Sequence, residues 1–141
     1  MDIGLVSCTK SKREQSSKPA DLYMESAFFR KARAYVEANH DAWYILSAKH
    51  RLLAPDGPAI EPYDETLSGA SVERKREWSQ EIYEQLHHGG LLVADNRLVF
   101  HAGRDYYDEL LPLLEDTPVQ IETPTDGLRY GETLSWYNER L

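Results

Sequence analysis

The sequence predicts an α/β domain: a three-layer sandwich with a central, mostly parallel four-stranded sheet flanked by helices. Two observations predict it. Four short runs are almost continuously apolar, as strands are when both faces of a sheet are covered. Amphipathic helical patterns separate these runs, and the regular alternation of strand and helix favours parallel strand pairing. With no internal repeat and no linker composition, residues 1–141 are expected to form a single domain.

The predicted strands are rich in β-branched and aromatic residues. They span residues 2–7 (DIGLVS), 42–47 (AWYILS), 96–102 (NRLVFHA) and 118–122 (PVQIE). Because apolar residues follow one another directly in these runs, we expect both faces of each strand to be buried.

Apolar stripes at spacings of three and four residues predict the helices. Ser26 precedes the first stripe as a candidate N-cap, Ser71 precedes the second, and Gly89-Gly90 ends the second. The stripes consist of Phe28, Ala32, Tyr35 and Val36; of Trp78, Ile82 and Leu86; of Tyr106, Leu110, Leu113 and Leu114; and of Tyr130, Leu134, Tyr137 and Leu141. The tryptophans are expected in the core, since they fall on these stripes and on a strand.

Two irregular segments, residues 8–21 and 53–69, interrupt the alternation. The second contains Pro55, Pro58 and Pro62 and exceeds the usual length of a connection. It is therefore either a lid over a functional site or a variable excursion.

The composition excludes several classes of protein. A formal net charge of −8 disfavours a generic nucleic-acid coat protein and binding to anionic lipid. Cys8, the single cysteine, cannot form an intrachain disulfide, and no apolar run approaches the roughly 18 residues of a membrane span. No secretory signal pattern is present. These features predict a cytoplasmic protein without a membrane partner, whose oligomeric state the sequence does not predict.

Cationic residues concentrate where the predicted strands end. Ligands of open α/β sheets bind beyond the carboxyl ends of the strands, and the segments that follow the strands carry many of the 16 lysines and arginines. These cations are Lys10, Lys12, Arg13, Lys49, Arg51, Arg104 and Arg129. In an acidic protein this concentration predicts a pocket for a small anionic ligand, a phosphate or nucleotide more than a bare sugar. The alternative is a polar rim that binds nothing, since loops are polar in most proteins.

The segment FHAGRDYYDEL, residues 100–110, is predicted to form one wall of this pocket. Gly103 lies between a strand and a helix, where the free amides of a helix N-terminus could hold a phosphate. The absence of G-x-G-x-x-G and of G-x-x-x-x-G-K-[ST] disfavours a dinucleotide-binding or P-loop site. The predicted ligand-binding residues are Ser7, Cys8, Lys10, Lys12, Tyr23, Ser47, Lys49, Tyr63, Gly103, Arg104, Tyr106 and Arg129.

His50 and Asp64 are the predicted catalytic residues. An imidazole exchanges protons near neutral pH, with an ordinary pKa of about 6.5, and the flanking cations would lower the pKa of His50. Asp64 lies on the proline-bearing segment, from which a carboxylate could orient a water or a sugar hydroxyl. The structural alternatives are a hydrogen-bonded histidine and a turn-capping aspartate.

Two further residues are candidates for the chemistry. Cys8 is a candidate nucleophile because Lys10 and Lys12 would favour its thiolate, and the alternative is a small buried cysteine. Asp126 precedes Gly127, a sequence that first of all predicts a turn. No cysteine or histidine spacing of the zinc type occurs, and we predict neither a metal nor a cofactor.

The motifs S-C-T-K-x-K at residues 7–12 and L-S-A-K-H at residues 46–50 resemble those of a widespread family of small bacterial and archaeal α/β domains. Those domains stand beside the YaaA-type peroxide-stress proteins and are similar to uracil-DNA-glycosylase-like modules of deazaguanine nucleoside modification. The resemblance spans essentially the whole chain. The other matching positions are Asp21-Leu22-Tyr23, Ser26, Phe29, Leu52-Leu53, Pro62-Tyr63-Asp64, Thr66-Leu67, Trp78, Ala102-Gly103, Tyr106, Gly127 and Gly131-Glu132.

The resemblance implies a strand-end pocket suited to a nucleobase or nucleotide, and hydrolysis or transfer at an N-glycosidic bond. The sequence departs from the family pattern at one position, because Arg51 follows Lys49-His50 where the family usually has glycine. Either a backbone turn with positive φ is lost there, or the pocket gains another cation.

Three functional hypotheses follow. The first is an enzyme that acts on a nucleotide or modified nucleoside, with Tyr63 or Tyr106 stacked on the base and cations on the phosphate. The second is a nucleic-acid-binding stress protein without turnover, whose affinity would fall steeply with salt. The third is an accessory domain without a ligand.

Overall fold

One five-stranded sheet forms the centre of the protein in the computed structural model, which describes residues 1–141. The strand order is β3-β2-β1-β4-β5, and all pairings are parallel except that of β3. The strands are β1 (Asp2–Ser7), β2 (Ala42–Ser47), β3 (Arg51–Leu53), β4 (Arg97–His101) and β5 (Gln120–Glu122). The predicted α/β class with a mostly parallel sheet is confirmed. The predicted number of four strands is wrong, because β3 adds an antiparallel edge strand.

A tight turn creates this additional strand. Residues 48–50 reverse the chain after β2, so that Arg51 pairs with Ser47. Arg51 has φ +61°, in the left-handed region that costs residues other than glycine roughly 1 kcal/mol. The turn is therefore kept at the position where the resemblance implies glycine. The guanidinium of Arg51 forms an ion pair with Glu81, so its charge is not free.

Five α-helices surround the sheet: α1 (Pro19–Leu22), α2 (Ala27–Asn39), α3 (Val72–His88), α4 (Leu111–Leu114) and α5 (Tyr130–Asn138). The predicted N-caps are confirmed, since Ser26 Oγ accepts from the amide of Phe29 and Ser71 Oγ accepts from that of Arg74. None of these helices is both long enough and apolar enough to cross a membrane.

The third predicted helix is not continuous. Residues Arg104–Tyr106 form a single 3₁₀ turn, and α4 begins only at Leu111. Pro112 explains the interruption, because proline lacks an amide hydrogen and its ring clashes with the carbonyl of the preceding turn. The first turn of a new helix is the position where proline is tolerated.

The helices form two groups that cover the sheet. Helix α2 contacts β1, β2 and α5, whereas α3 contacts β3, α4 and the 3₁₀ turn. Strand β1 is buried along both faces from Ile3 onwards. Gly4 allows α2 to lie close to the sheet, because a Cβ at this position would approach Val36 Cγ1 to 2.7 Å. The largest fully buried side chain, Trp78, comes from α3.

A histidine pair lies between the sheet and the α2–α5 group. His101, the last residue of β4, is completely buried, and its Nε2 lies 3.0 Å from Nε2 of His40. Its Nδ1 lies 2.7 Å from the hydroxyl of Tyr137 on α5. Burial, and then the neighbouring His40, lowers the pKa of His101 to about 3. His101 therefore belongs to the core and not to the strand-end rim.

Candidate ligand-binding site

A cavity of about 860 Å³ opens at the carboxyl ends of β1, β4 and β5. From β1 the chain passes through α2 to β2 on one side, and later returns through α3 to β4 on the other side. The cavity therefore lies at the topological switch point, where open α/β sheets bind their ligands. We call it the strand-end cavity. Its lining consists of residues 7–11, Ser26, Phe28, Thr66, Ser68, residues 102–107, residues 125–128, Tyr130 and Thr133.

The predicted ligand-binding residues divide into two sets. Ser7, Cys8, Lys10, Gly103, Arg104 and Tyr106 line the strand-end cavity, and residues 102–107 of the segment 100–110 supply one of its walls. Lys12, Tyr23, Ser47, Lys49, Tyr63 and Arg129 lie outside its lining, as do the predicted catalytic residues His50 and Asp64. Thr66, Ser68, Thr125 and Thr133 also line the cavity but were not among the predicted ligand-binding residues, since only the fold brings them together.

Asp126 is the best-anchored polar group of the cavity. Its Oδ1 accepts hydrogen bonds from Arg104 Nε at 2.9 Å and from the hydroxyl of Tyr107 at 2.5 Å. A longer bond of 3.3 Å joins Arg104 Nη2 to Oδ2. The hydrogen bond from Arg104, followed by that from Tyr107, lowers the pKa of Asp126. Asp126 is therefore a carboxylate at neutral pH, and Oδ2 keeps most of its capacity to accept another hydrogen bond.

The lining of the strand-end cavity carries no net charge, because Lys10 and Arg104 are balanced by Asp105 and Asp126. Arg104 is paired with Asp126, and Asp105, which also lines the cavity, accepts a bond of 2.6 Å from Lys75 on α3. Lys10 is the lining cation that has no carboxylate partner. The other cations of the predicted rim do not reach this lining. Lys12 and Arg13 border a separate shallow cavity, and Arg129 borders a third cavity beside α5.

Hydroxyl side chains dominate the polar lining. Ser7 and Thr125 are 5% and 7% exposed, and neither hydroxyl has a hydrogen-bond partner in the protein. Although both residues are buried, each hydroxyl oxygen retains some accessible surface, and both residues line the strand-end cavity. Because buried hydroxyls normally have partners, these two are available to a ligand. The hydroxyl-bearing residues of the lining are Ser7, Thr9, Ser11, Ser26, Thr66, Ser68, Thr125 and Thr133.

Gly103 lies between these two hydroxyls in the order of the strands, because β4 separates β1 from β5. A Cβ added to Gly103 would meet no atom within 4 Å. Its φ of −75° is accessible to every amino acid. The backbone conformation does not require glycine at position 103, and the lack of a side chain there leaves free space at the cavity. The 3₁₀ turn that follows has three residues, too few for the helix N-terminus that the sequence predicted there.

Cys8 forms the inner wall of the strand-end cavity. Its Sγ lies 3.3 Å from the hydroxyl of Tyr106 and accepts a hydrogen bond of 3.4 Å from the amide of Ala48. The amide of Leu67 donates to the hydroxyl oxygen of Tyr106 at 3.4 Å. Burial raises the pKa of Tyr106, which therefore remains a hydrogen-bond donor at neutral pH. Cys8 as a whole is only 5% exposed.

A second set of polar side chains is connected to Cys8 through Ala48, which follows Ser47 in the sequence and whose amide donates to Cys8 Sγ. We call Tyr23, Ser47 and Tyr63 the tyrosine cluster. The hydroxyl of Tyr63 lies 2.6 Å from that of Tyr23 and 2.7 Å from Ser47 Oγ, which also accepts from the amide of His50 at 2.9 Å. Burial raises the pKa of both tyrosines above its usual range. The three hydroxyls satisfy one another.

Charged groups border the tyrosine cluster on its outer side. The ammonium of Lys12 lies 4.6 Å from the ring centroid of Tyr63, within cation–π range, and burial lowers the pKa of Lys12. The ring of His50 lies 5.4 Å from that of Tyr63. Burial, followed by the charge of Lys49, lowers the pKa of His50. Asp64 is exposed, and its carboxylate has no hydrogen-bond or ion-pair partner.

The long proline-bearing segment is packed against the body of the protein. Ile60 forms a two-way backbone bridge with Ser17, which joins the two irregular segments of the chain. Tyr63 and Leu67 are buried, while Thr66 and Ser68 line the strand-end cavity. The segment thus separates the cavity from the tyrosine cluster and contributes to both.

Together, the fold and the site describe an α/β protein with a hydroxyl-lined cavity at the switch point of its sheet. A family model described as "Family of unknown function (DUF6884)" matches residues 3–139. The chain therefore belongs to the DUF6884 family. Comparisons with curated proteins and with solved structures found no significant match.

Proposed function

We propose that the protein binds a nucleoside or nucleotide in the strand-end cavity and catalyses hydrolysis or transfer at its N-glycosidic bond. The volume of about 860 Å³ falls within the range of small-molecule sites. Hydroxyls and the aromatic side chains of Phe28 and Tyr130 occur in one lining, which suits a ligand with an aromatic base and a polar sugar. The observation that carries the proposal is an ionised carboxylate, Asp126, which lies on the exposed part of this lining and is held there by Arg104 and Tyr107.

Asp126 supplies the chemistry that such a reaction needs. Cleavage of an N-glycosidic bond develops positive charge on the sugar, and a nearby carboxylate stabilises that charge. Oδ2 of Asp126 can accept the proton of the incoming water or acceptor hydroxyl, whose oxygen forms the new bond to the anomeric carbon while the base leaves with the electrons of the broken bond, and Asp126 then releases this proton to the solvent. The base takes up a proton from the solvent. Lys10 is positioned to contact a phosphate at the mouth of the cavity.

Base release from a panel of nucleosides and 5′-monophosphates tests this proposal. Asp126→Asn keeps the size of the side chain and removes its charge, so we expect turnover to fall about 100-fold or more while ligand binding persists. Asp116→Asn is the matched control, because Asp116 is exposed and lies outside the cavity. Equal turnover by Asp126→Asn and the wild-type protein would remove Asp126 from the mechanism. The absence of both binding and base release would refute the proposed function.

His50→Ala and Asp64→Asn test the assignment that the sequence favoured. Loss of turnover in either variant, with Asp126→Asn unaffected, would place the reaction beside the tyrosine cluster and not in the strand-end cavity.

Nucleic-acid binding without turnover is the alternative from another class. The pairing of Arg51, Lys75 and Arg104 with carboxylates speaks against a broad cationic groove. A salt titration of single-stranded DNA binding distinguishes the two, because contacts to several phosphates make log K fall steeply with log salt. Steep salt dependence without any base release would favour the alternative.

A further inference from the structure

We propose that the strand-end cavity selects a nucleoside or a nucleoside monophosphate and discriminates against di- and triphosphates. This inference rests on the proposed function and specifies its substrate class. Two independent observations support it: the charge balance of the lining, and the two buried hydroxyls that have no partner.

The cations of the lining can neutralise no more than one phosphate group of a ligand. Sites for nucleoside triphosphates neutralise several negative charges with lysine, arginine, Mg²⁺ or a glycine-rich loop of amides. In this cavity Arg104 is already paired with Asp126, and Asp105 is paired with Lys75. Lys10 alone among the lining cations has no carboxylate partner. A polyphosphate would thus bring its additional charges next to two carboxylates.

The two buried hydroxyls favour neutral polar groups on the ligand. Ser7 and Thr125 are more than nine-tenths buried, lack a protein partner and line the cavity on either side of the β4 end. A hydroxyl both donates and accepts, so it matches the hydroxyls of a sugar or the edge of a base better than a phosphate, which only accepts. An unsatisfied hydroxyl in such a place is costly, and a bound ligand or water removes that cost.

Titration with a nucleoside, its 5′-monophosphate and its 5′-triphosphate, for each of the four common RNA bases, tests the selection. For the base that binds, we expect the Kd values of nucleoside and monophosphate to lie within about tenfold and the triphosphate to bind at least about threefold more weakly than the monophosphate. A triphosphate that does not bind more weakly than the monophosphate by this factor overturns this inference and leaves the proposed function intact. Absence of binding by all twelve compounds refutes the proposed function itself.

Single substitutions test the residues behind the selection. Lys10→Ala should remove the extra affinity of the monophosphate, up to about tenfold, and leave the Kd of the nucleoside unchanged. Lys18→Ala is the control, because Lys18 is exposed and borders a different cavity. A Lys10→Ala variant that binds the monophosphate as the wild type does contradicts the charge argument.

Ser7→Ala and Thr125→Val test the hydroxyl argument. Each should weaken nucleoside binding about three- to tenfold without lowering the thermal midpoint, since neither hydroxyl bonds to the protein. A merely structural hydroxyl would give unchanged binding. Unchanged Kd values in both variants would overturn the assignment of these hydroxyls to the ligand.

Discussion

The strand-end cavity and the tyrosine cluster are made from similar groups but differ in how those groups are satisfied. In the cluster, the hydroxyls of Tyr23, Ser47 and Tyr63 bond to one another at 2.6 and 2.7 Å. In the cavity, Ser7 and Thr125 are also buried residues, but their hydroxyls keep some accessible surface and have no partner in the protein. Buried polar groups that complete one another stabilise a fold, whereas buried polar groups left open indicate a place for a ligand.

Placing the same large side chain in both regions would produce the greatest contrast. Ser47→Leu inserts volume into a site with no exposed surface and removes two hydrogen bonds, so the free energy of unfolding should fall by about 3 kcal/mol or more. Gly103→Leu places its side chain in open space, so it should leave stability nearly unchanged and abolish ligand binding. Urea denaturation and ligand titration measure both. Strong destabilisation by Gly103→Leu would show that the cavity is not open at this position.

The histidine pair extends the comparison to a buried group that the fold keeps neutral, because burial disfavours the charged form of His101. The unfolded chain takes up a proton on His101 near pH 6.5, but the folded protein does so only near pH 3. Between these values the unfolded state binds more protons, so stability rises with pH and is lost as the pH falls. We expect His101 to contribute a loss of roughly 2 kcal/mol between pH 6.5 and 5.

Urea denaturation at several pH values, on the wild type and on His101→Phe, measures this contribution. The slope of stability against pH should be smaller in the variant, even though the variant also loses the bond to Tyr137. Equal slopes would contradict the neutral burial of His101. Carboxylates elsewhere titrate equally in both proteins, so the difference in slope reports on the histidine pair, since His40 also loses its contact with His101.

Removing single hydroxyls gives a finer version of the same comparison. Ser47→Ala leaves the amide of His50 and the hydroxyl of Tyr63 with one partner fewer, which should cost about 1.5 kcal/mol of unfolding free energy. Ser7→Ala removes a hydroxyl that has no protein partner and should change stability by less than about 0.5 kcal/mol. Comparable losses in the two variants, measured by urea denaturation, would mean that partner satisfaction does not distinguish the regions.

The smallest expected effect concerns the turn that leads from the tyrosine cluster into β3. Arg51→Gly relieves a left-handed backbone but gives up the ion pair with Glu81. Since the pair is largely exposed and the strain is near 1 kcal/mol, the two effects should nearly cancel, with a net change within about 1 kcal/mol. Thermal denaturation of Arg51→Gly and of Arg51→Ala separates them, because both variants lose the ion pair and the hydrogen bond from Arg51 to the carbonyl of Lys49, while only alanine keeps the strain. If Arg51→Ala is as stable as Arg51→Gly, the backbone at residue 51 carries no strain.

Local sequence patterns were sufficient to predict four of the strands and the N-caps of two helices. The apolar runs located β1, β2, β4 and β5, and the serines before α2 and α3 located their N-caps. The sequence analysis failed at β3, a three-residue strand produced by a turn with positive φ at a residue other than glycine. It also drew one helix through Pro112, where the missing amide forces the chain to begin again.

The position of the strand-end cavity was predictable from the sequence, but most of the side chains that line it were not. Strand ends are visible in a sequence, and Ser7, Lys10 and Arg104 follow from them. Which side chains then meet depends on the path of the loops. That path brings Thr125 and Thr66 to the cavity and places Tyr63 in the tyrosine cluster. Charge at the strand ends was also a poor guide, because carboxylates from elsewhere in the fold neutralise Arg51 and Arg104.

The open direction at Gly103 has a practical consequence. A cysteine placed there would present its thiol in open space at the lining of the cavity, since Gly103 lines the cavity and a Cβ at this position meets nothing within 4 Å. The native cysteine, Cys8, is only 5% exposed, so an environment-sensitive fluorophore would react preferentially at the new position. Such a reporter would reveal entry of a small molecule by a change in emission, before any assay for its chemistry exists.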